Sequence, residues 1–159
     1  MKLYYLSLIP VINNIKDSII DNVFKSKIKP IEGSIVYCDL FLGYAEHSGI
    51  YIGNDQIVHK NRYGIIEHIS SKDFIENTTA ISIYVSSYKG SASGSIFSAW
   101  RAESQIGIHD EYSFYHYNCH QFCSYCLSGD YDNYDISLMQ LKFNSRNYID
   151  IDDWLVWDR

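Results

Sequence analysis

The stretch Tyr117-Asn118-Cys119-His120-Gln121-Phe122 contains the residue types that acyl transfer at a thiol requires. Asn118 is a favoured helix N-cap, and Gln121, three residues on, stands where a capping box places Glu or Gln. Cys119 is thereby expected at the first helical position. The positive end of the helix dipole and the unsatisfied N–H groups there stabilise a thiolate, which predicts a lowered pKa and a nucleophile near neutral pH. The same N–H groups can hold the oxyanion that forms when sulfur adds to a carbonyl.

Such a nucleophile needs a positioned base. His47 and His59 flank Gly53-Asn54-Asp55, a strong hairpin signal. Pairing the two histidines directly puts the midpoint at Gly53, with an odd loop of three or five residues, and directly opposed residues of an antiparallel pair share a face. One imidazole then takes the Cys119 proton while the other orients it, the logic of a thiol–base–orienter triad.

Cys119, Cys123 and Cys126 also have the spacing of a radical-SAM cluster motif. Such a motif normally precedes a partial barrel much larger than the stretch after Cys126. On a helix the three positions share one face, so Cys123 and Cys126 read as small buried apolar residues. Zinc held by these cysteines with His116 or His120 is the remaining metal reading, whereas the triad calls for no metal and no cofactor. His68, His109, His116 and His120 read as surface or supporting residues. Tyr51, Tyr112 and Tyr117 flank the motifs and can line an acyl pocket, although tyrosines this plentiful mostly pack.

The elements that must position these groups belong to an ordinary globular domain. The chain has 159 residues, 47% hydrophobic and 20% charged, enough to bury its own core as one domain spanning 1–159. Thirteen Lys+Arg against nineteen Asp+Glu give a net charge of -6, which argues against a partner bound through nucleic-acid phosphates. Four cysteines, three of them clustered, do not make a disulfide scaffold.

From Pro10, the residues Val11, Ile12, Ile15, Ile19, Val23 and Phe24 recur at helical spacing and predict a helix over about 10–25. Asp17 and Asp21 share its polar face with Lys16 and Lys25, which favours packing over a basic membrane-surface role. Residues 31–85 read as an antiparallel sheet, with strands at 35–38, 48–52, 56–59, 64–69 and 80–85 and a short capped helix at 71–75. Residues 86–95 read as a Ser/Gly-rich connection. A helix from Ile96 to Ile106 stops at Gly107, with Arg101 and Glu103 on a solvated face, and a second over 118–127 stops at Gly129. Residues 130–159 form a C-terminal extension without a usable period. The fold class is α+β, an antiparallel sheet packed against helices.

The apolar start, Met1 to Pro10, lacks a small-x-small cleavage site, and no run reaches the roughly 20 apolar residues of a membrane span. The expected location is the cytoplasm, or outside the cell by a signal-peptide-independent route, without a transmembrane segment.

The run His47-Ser48-Gly49-Ile50-Tyr51-Ile52-Gly53, then His59, then Asn118-Cys119 leading into Phe122, resembles the lecithin:retinol acyltransferase-like family. That family is similar to circularly permuted papain-like, NlpC-type thiol hydrolases, with histidines preceding the cysteine. Gly33-Ser34-Ile35-Val36 resembles its opening strand, and Tyr112-x-Phe114 its aromatic lead-in, so the resemblance covers about residues 32–129. Animal members read Asn-Cys-Glu-His-Phe, whereas His120-Gln121 stands here in place of Glu-His. The resemblance implies a permuted papain-like fold, with Cys119 as nucleophile, His47 as base and His59 as third member, and no metal. Asn118, His120 and Tyr51 are candidates for binding substrate or oxyanion. It further implies attack on a phospholipid or other acyl ester during a transient membrane-surface contact, and transfer of the acyl group from cysteine to water, an amine or an alcohol. Two rival functions remain: a thiol amidase or peptidase of the permuted NlpC or desumoylating type, and a secreted effector or binding module without turnover.

Overall fold

A computed structural model describes residues 26–41, 45–111, 113 and 116–159. The helix expected over about 10–25 lies outside these residues, as do Tyr112 and Phe114. Among the described residues, one large sheet runs in the order β1 (Lys27–Ile28), β8 (Asp153–Trp157), β6 (Tyr84–Tyr88), β2 (Ile35–Asp39), β3 (Glu46–Tyr51), β4 (Gln56–Lys60) and β5 (Ile66–Ser70), with β7 (Ser91–Ala92) paired to β6. All pairings are antiparallel except β1 with β8. The expected mixed α/β domain built on an antiparallel sheet is found. No helix among the described residues is long and apolar enough to cross a membrane.

Both faces of the sheet are covered. On one side, Ile35, Ile50, Val58, Trp154 and Val156 pack against α2 (Ile96–Ser104), α3 (Cys119–Ser128) and α4 (Leu138–Asn144) through Ala102, Phe122, Cys123, Cys126 and Leu141. On the other, Val36, Cys38, Ile57, Val85 and Trp157 pack with Phe74 of α1 (Ser71–Ile75). Two-sided burial explains why Ile35, Val36, Tyr37 and Cys38 are all buried with no polar alternation.

Several sequence expectations change. The strand placed at 80–85 begins at Tyr84 and continues to Tyr88, and the supposed connection beyond it contains a hairpin back to β7. Lys89 and Gly90, both at positive φ, turn that hairpin. The extension at 130–159 supplies α4 and then β8, which inserts into the sheet between β1 and β6. A strand buried on both faces has no period-2 signal, so Trp154-Leu155-Val156-Trp157 gave none.

Arg101 is also not a solvated side chain. Its Nη1 donates to the carbonyls of Cys126 and Leu127, each at 2.9 Å, in the last turn of α3, where helical carbonyls lack partners of their own. Gly129, at φ 79°, donates its N–H to the Tyr125 carbonyl at 2.7 Å and closes the same end. Arg101→Ala is expected to cost about 1.5–3 kcal/mol, the usual range for hydrogen bonds involving a charged group. Urea denaturation checks this; an unchanged midpoint would show that the guanidinium contributes nothing to holding α3.

Candidate active site

Helix α3 starts as its sequence dictates. The Asn118 side chain accepts from the N–H groups of His120 at 2.9 Å and Gln121 at 3.1 Å, and Gln121 Oε1 accepts from the Asn118 N–H at 3.3 Å. Asn118 Nδ2 donates to the Ile136 carbonyl at 2.8 Å, which ties the cap to the segment before α4. Asn118 therefore holds the helix start, with its oxygen already occupied. Tyr117, immediately before the cap, adopts φ 58°, unusual for a bulky residue, with its ring 5.4 Å from that of Tyr131.

The hairpin register differs from the expected one. The β3–β4 ladder pairs Ile50 with Val58 and Tyr51 with Ile57, and Ile52 N–H donates to the Gln56 carbonyl at 2.9 Å. The three-residue turn Gly53-Asn54-Asp55, all at positive φ, is thus centred on Asn54 rather than Gly53. Continuing this register puts Gly49, not His47, beside His59. Moving the midpoint by one residue moves the pairing by two, so His47 and His59 still share a face. Their rings meet diagonally because Gly49 has no side chain: a Cβ there would lie 2.5 Å from Ile57 Cγ2 and 2.9 Å from the Val58 carbonyl oxygen.

His47 Nε2 lies 2.7 Å from His59 Nδ1, with the rings edge to face. Phe74 stacks on His47 at 5.0 Å between centroids. The far nitrogen of His59, Nε2, is buried and lies 3.5 Å from Glu67 Oε1, too far for a strong hydrogen bond. Glu67 was not anticipated, although it sits directly opposite His59 across β4–β5, and counting outward from the turn at 61–64 would have found it. Asn61 Nδ2 donates to the same carboxylate oxygen at 2.7 Å.

The 2.7 Å contact requires one ring nitrogen to donate and the other to accept; with His59 Nδ1 as acceptor, His47 Nε2 donates and the lone pair of His47 falls on Nδ1, the ring nitrogen nearest its own backbone.

The sulfur of Cys119 meets that backbone. Ile52 directs its N–H toward β4, and by alternation so does Ser48, but the β3–β4 ladder has ended before Ser48. Its N–H and hydroxyl instead favour negative charge on Cys119. This N–H belongs to the peptide joining His47 to Ser48, which places the sulfur within one residue of the imidazole. No hydrogen bond joins Cys119 to His47 in this structure.

The expected lowering of the Cys119 pKa is not found. Burial raises it, outweighing the opposing Ser48 groups and the N–H groups of Cys119 and His120. His47 is held well below the usual imidazole value, first by burial and then by His59 and His120. Burial takes His59 down to about 4 against the pull of Glu67, and burial also takes His120 to about 4. The resting site is a neutral thiol beside neutral imidazoles.

His120, taken from sequence as a substrate or oxyanion candidate, points its Nδ1 at Ser48 Oγ, 2.9 Å away. Tyr51 lies four residues along β3 from His47, about 13 Å at strand rise. Its hydroxyl accepts from Asp55 N–H at 3.3 Å and its ring packs on Trp157, so it belongs to the hairpin end. Cys123 and Cys126 are fully buried, as expected of packing residues. The cavity beside Asn118, lined by Lys60, Phe122, Tyr125 and Tyr131 among others, measures about 30 Å³. It has room for about one water and not for an acyl chain.

A pH dependence of stability follows. Below the ordinary imidazole value of 6.5 the unfolded chain takes up protons that folded His47, His59 and His120 refuse. Their contribution to stability is complete above about pH 6.5 and is lost as the pH falls below it, toward about 4 for His59 and His120. Asp39 and Glu46, whose carboxyls burial pushes up, act in the opposite sense at the acid end. Urea midpoints of wild type are therefore expected to drop from pH 7 to pH 5, and to drop less in His59→Phe; equal slopes would contradict the neutral buried imidazole. No family model matches this chain and no curated protein matches it, so the reading of the site rests on its residues and their geometry.

Proposed function

We propose that the protein is a cysteine-dependent acyltransferase or lipid acyl hydrolase working through an acyl-cysteine thioester, with Cys119 as nucleophile, His47 as base and His59 as orienting partner. The observation that carries this is the 2.7 Å His47–His59 contact, on the strand whose next peptide N–H faces the first residue of a capped helix. The resemblance of residues 32–129 to the lecithin:retinol acyltransferase-like family, and with it a permuted papain-like fold, supports the same assignment.

In this reading the thiol attacks the ester carbonyl as His47 Nδ1 takes its proton. Proton transfer accompanies attack because both partners rest neutral. The Cys119 N–H donates to the oxyanion of the tetrahedral intermediate. Collapse breaks the ester C–O bond, and His47 returns the proton to the departing alcohol. Water, an amine or an alcohol then attacks the thioester, His47 removes its proton, and sulfur leaves with that proton restored. Glu67 steadies the His59 imidazole through which His47 is oriented. An acyl chain would lie over the surface beside the helix start or in space opened on binding, since the adjoining cavity is too small.

The test incubates the protein with a mixed lipid extract and follows both lipid loss and the intact mass. Wild type is expected to gain a fatty-acyl adduct on Cys119 and to consume ester lipids. Cys119→Ala loses both, and His47→Asn slows turnover by about 10²–10⁴-fold, the usual contribution of a positioned acid–base group. Lipid loss undiminished in Cys119→Ala sinks the mechanism. An adduct from amide or peptide donors but not from lipids assigns the site to an amidase, and no adduct from either class favours a binding module.

A further inference from the structure

Ser48 lies where three groups compete for one hydroxyl. His120 Nδ1 is 2.9 Å from Ser48 Oγ, Cys123 Sγ donates to the same oxygen at 3.4 Å, and the hydroxyl favours negative charge on the Cys119 sulfur. Ser48 is wholly buried and His120 nearly so. A hydroxyl supplies one proton and two lone pairs. With the His120 proton on Nε2, Nδ1 is an acceptor and the Ser48 proton turns toward it, away from sulfur. With the proton on Nδ1, His120 and Cys123 together fill both lone pairs of Oγ, and the hydroxyl proton is left for Cys119.

We propose that His120 is a positioning residue for the nucleophile: as its Nδ1–H tautomer it donates to Ser48 Oγ, and thereby directs the Ser48 hydroxyl onto the Cys119 sulfur. The Ser48 and His47 side chains leave opposite faces of β3, so this donor pair approaches the sulfur from the α3 side while the His47–His59 pair occupies the α1 side. His120 stays neutral above about pH 4, so its tautomer, not its charge, sets the direction of the hydroxyl. The inference takes Cys119 to be the nucleophile proposed above, but depends on no particular substrate.

The experiment measures carbamidomethylation of Cys119 by iodoacetamide across pH 6–10, with peptide mass mapping to separate it from the other cysteines. In this reaction the thiolate displaces iodide, so the rate follows the thiolate fraction. Cys38 from β2 and Cys123 from α3 act on the sulfur, and burial keeps both thiols protonated across this range, while the His47, His59 and His120 imidazoles are uncharged there. Ser48→Ala and His120→Phe are each expected to cut the rate at a fixed pH below the midpoint by about tenfold, one pH unit of midpoint. The double variant falls no further, because both changes remove the same proton. His120→Asn, whose amide N–H stands near the place of Nδ1–H, retains the wild-type profile. A wild-type profile in His120→Phe, or additive losses in the double variant, overturns the proposal. Imidazole nitrogen shifts of histidine-labelled wild type give a reading that needs no variant to fold: Nδ1 protonation of His120 at pH 7 is expected, and an Nε2–H tautomer overturns it. Loss of lipid turnover with an unchanged alkylation pattern would count against the substrate reading alone.

Discussion

The β3–β4 ladder ends after Ile50↔Val58, and both halves of the site depend on that early end. A ladder continued by one more hydrogen-bonded pair would engage the Ser48 N–H in the sheet. With the ladder stopped, this buried donor faces the start of α3, where leaving it unpaired would cost about 1–3 kcal/mol. That N–H favours negative charge on the Cys119 sulfur. β3 remains anchored on its other side by five residue pairs with β2, so the opening toward β4 does not loosen the strand that carries His47 and Ser48.

Burial then decides the electrostatics. A helix N-terminus favours a nearby negative charge by about 0.3–1 kcal/mol, less than a single pKa unit, whereas full burial can shift a group by several units in the opposite direction. Cys119 is buried and His47 half-buried, and desolvation pushes both toward their neutral forms. At the capped start of α3 the dipole is the smaller of the two effects, and burial prevails. Neutral partners suit the proposed mechanism, in which proton transfer waits for the electrophile. The His47–His59 contact adds direction to this, because a proton on His47 Nε2 leaves its lone pair on Nδ1, the nitrogen nearest the peptide that meets the sulfur.

What was legible in the sequence divides by range. The start of α3 was readable because a capping box is complete within four residues, Asn118 to Gln121. The two histidines sharing a face was readable because parity survives an even shift, while the register itself was not: Ile52 and Gln56 close the turn, and nothing local distinguishes that closure from one centred on Gly53. β8 was hidden twice over, by burial on both faces and by a partner, β6, that lies far away in the chain. Arg101 looked like a surface charge because its acceptors, the carbonyls of Cys126 and Leu127, belong to another helix. The direction of the Cys119 shift was out of reach for the same reason, since it depends on what covers the sulfur.

Adjacent residues of a strand point to opposite faces, and here that alternation separates two chemical roles. His47 turns to the side of Phe74 and His59, Ser48 to the side of His120 and Cys123, and the peptide between them directs its N–H along the sheet plane to the sulfur. A slip of β3 by one residue against β2 would send the imidazole under α3 and the hydroxyl under α1, reversing both roles at once. The register is therefore as much a part of the site as the side chains. At its far end the Gly33 N–H donates to the Tyr51 carbonyl at 2.7 Å, and a Cβ on Gly33 would lie 1.8 Å from the Ser95 carbonyl oxygen, so the residue that joins the start of β2 to β3 is also the one that seats closely against the start of α2.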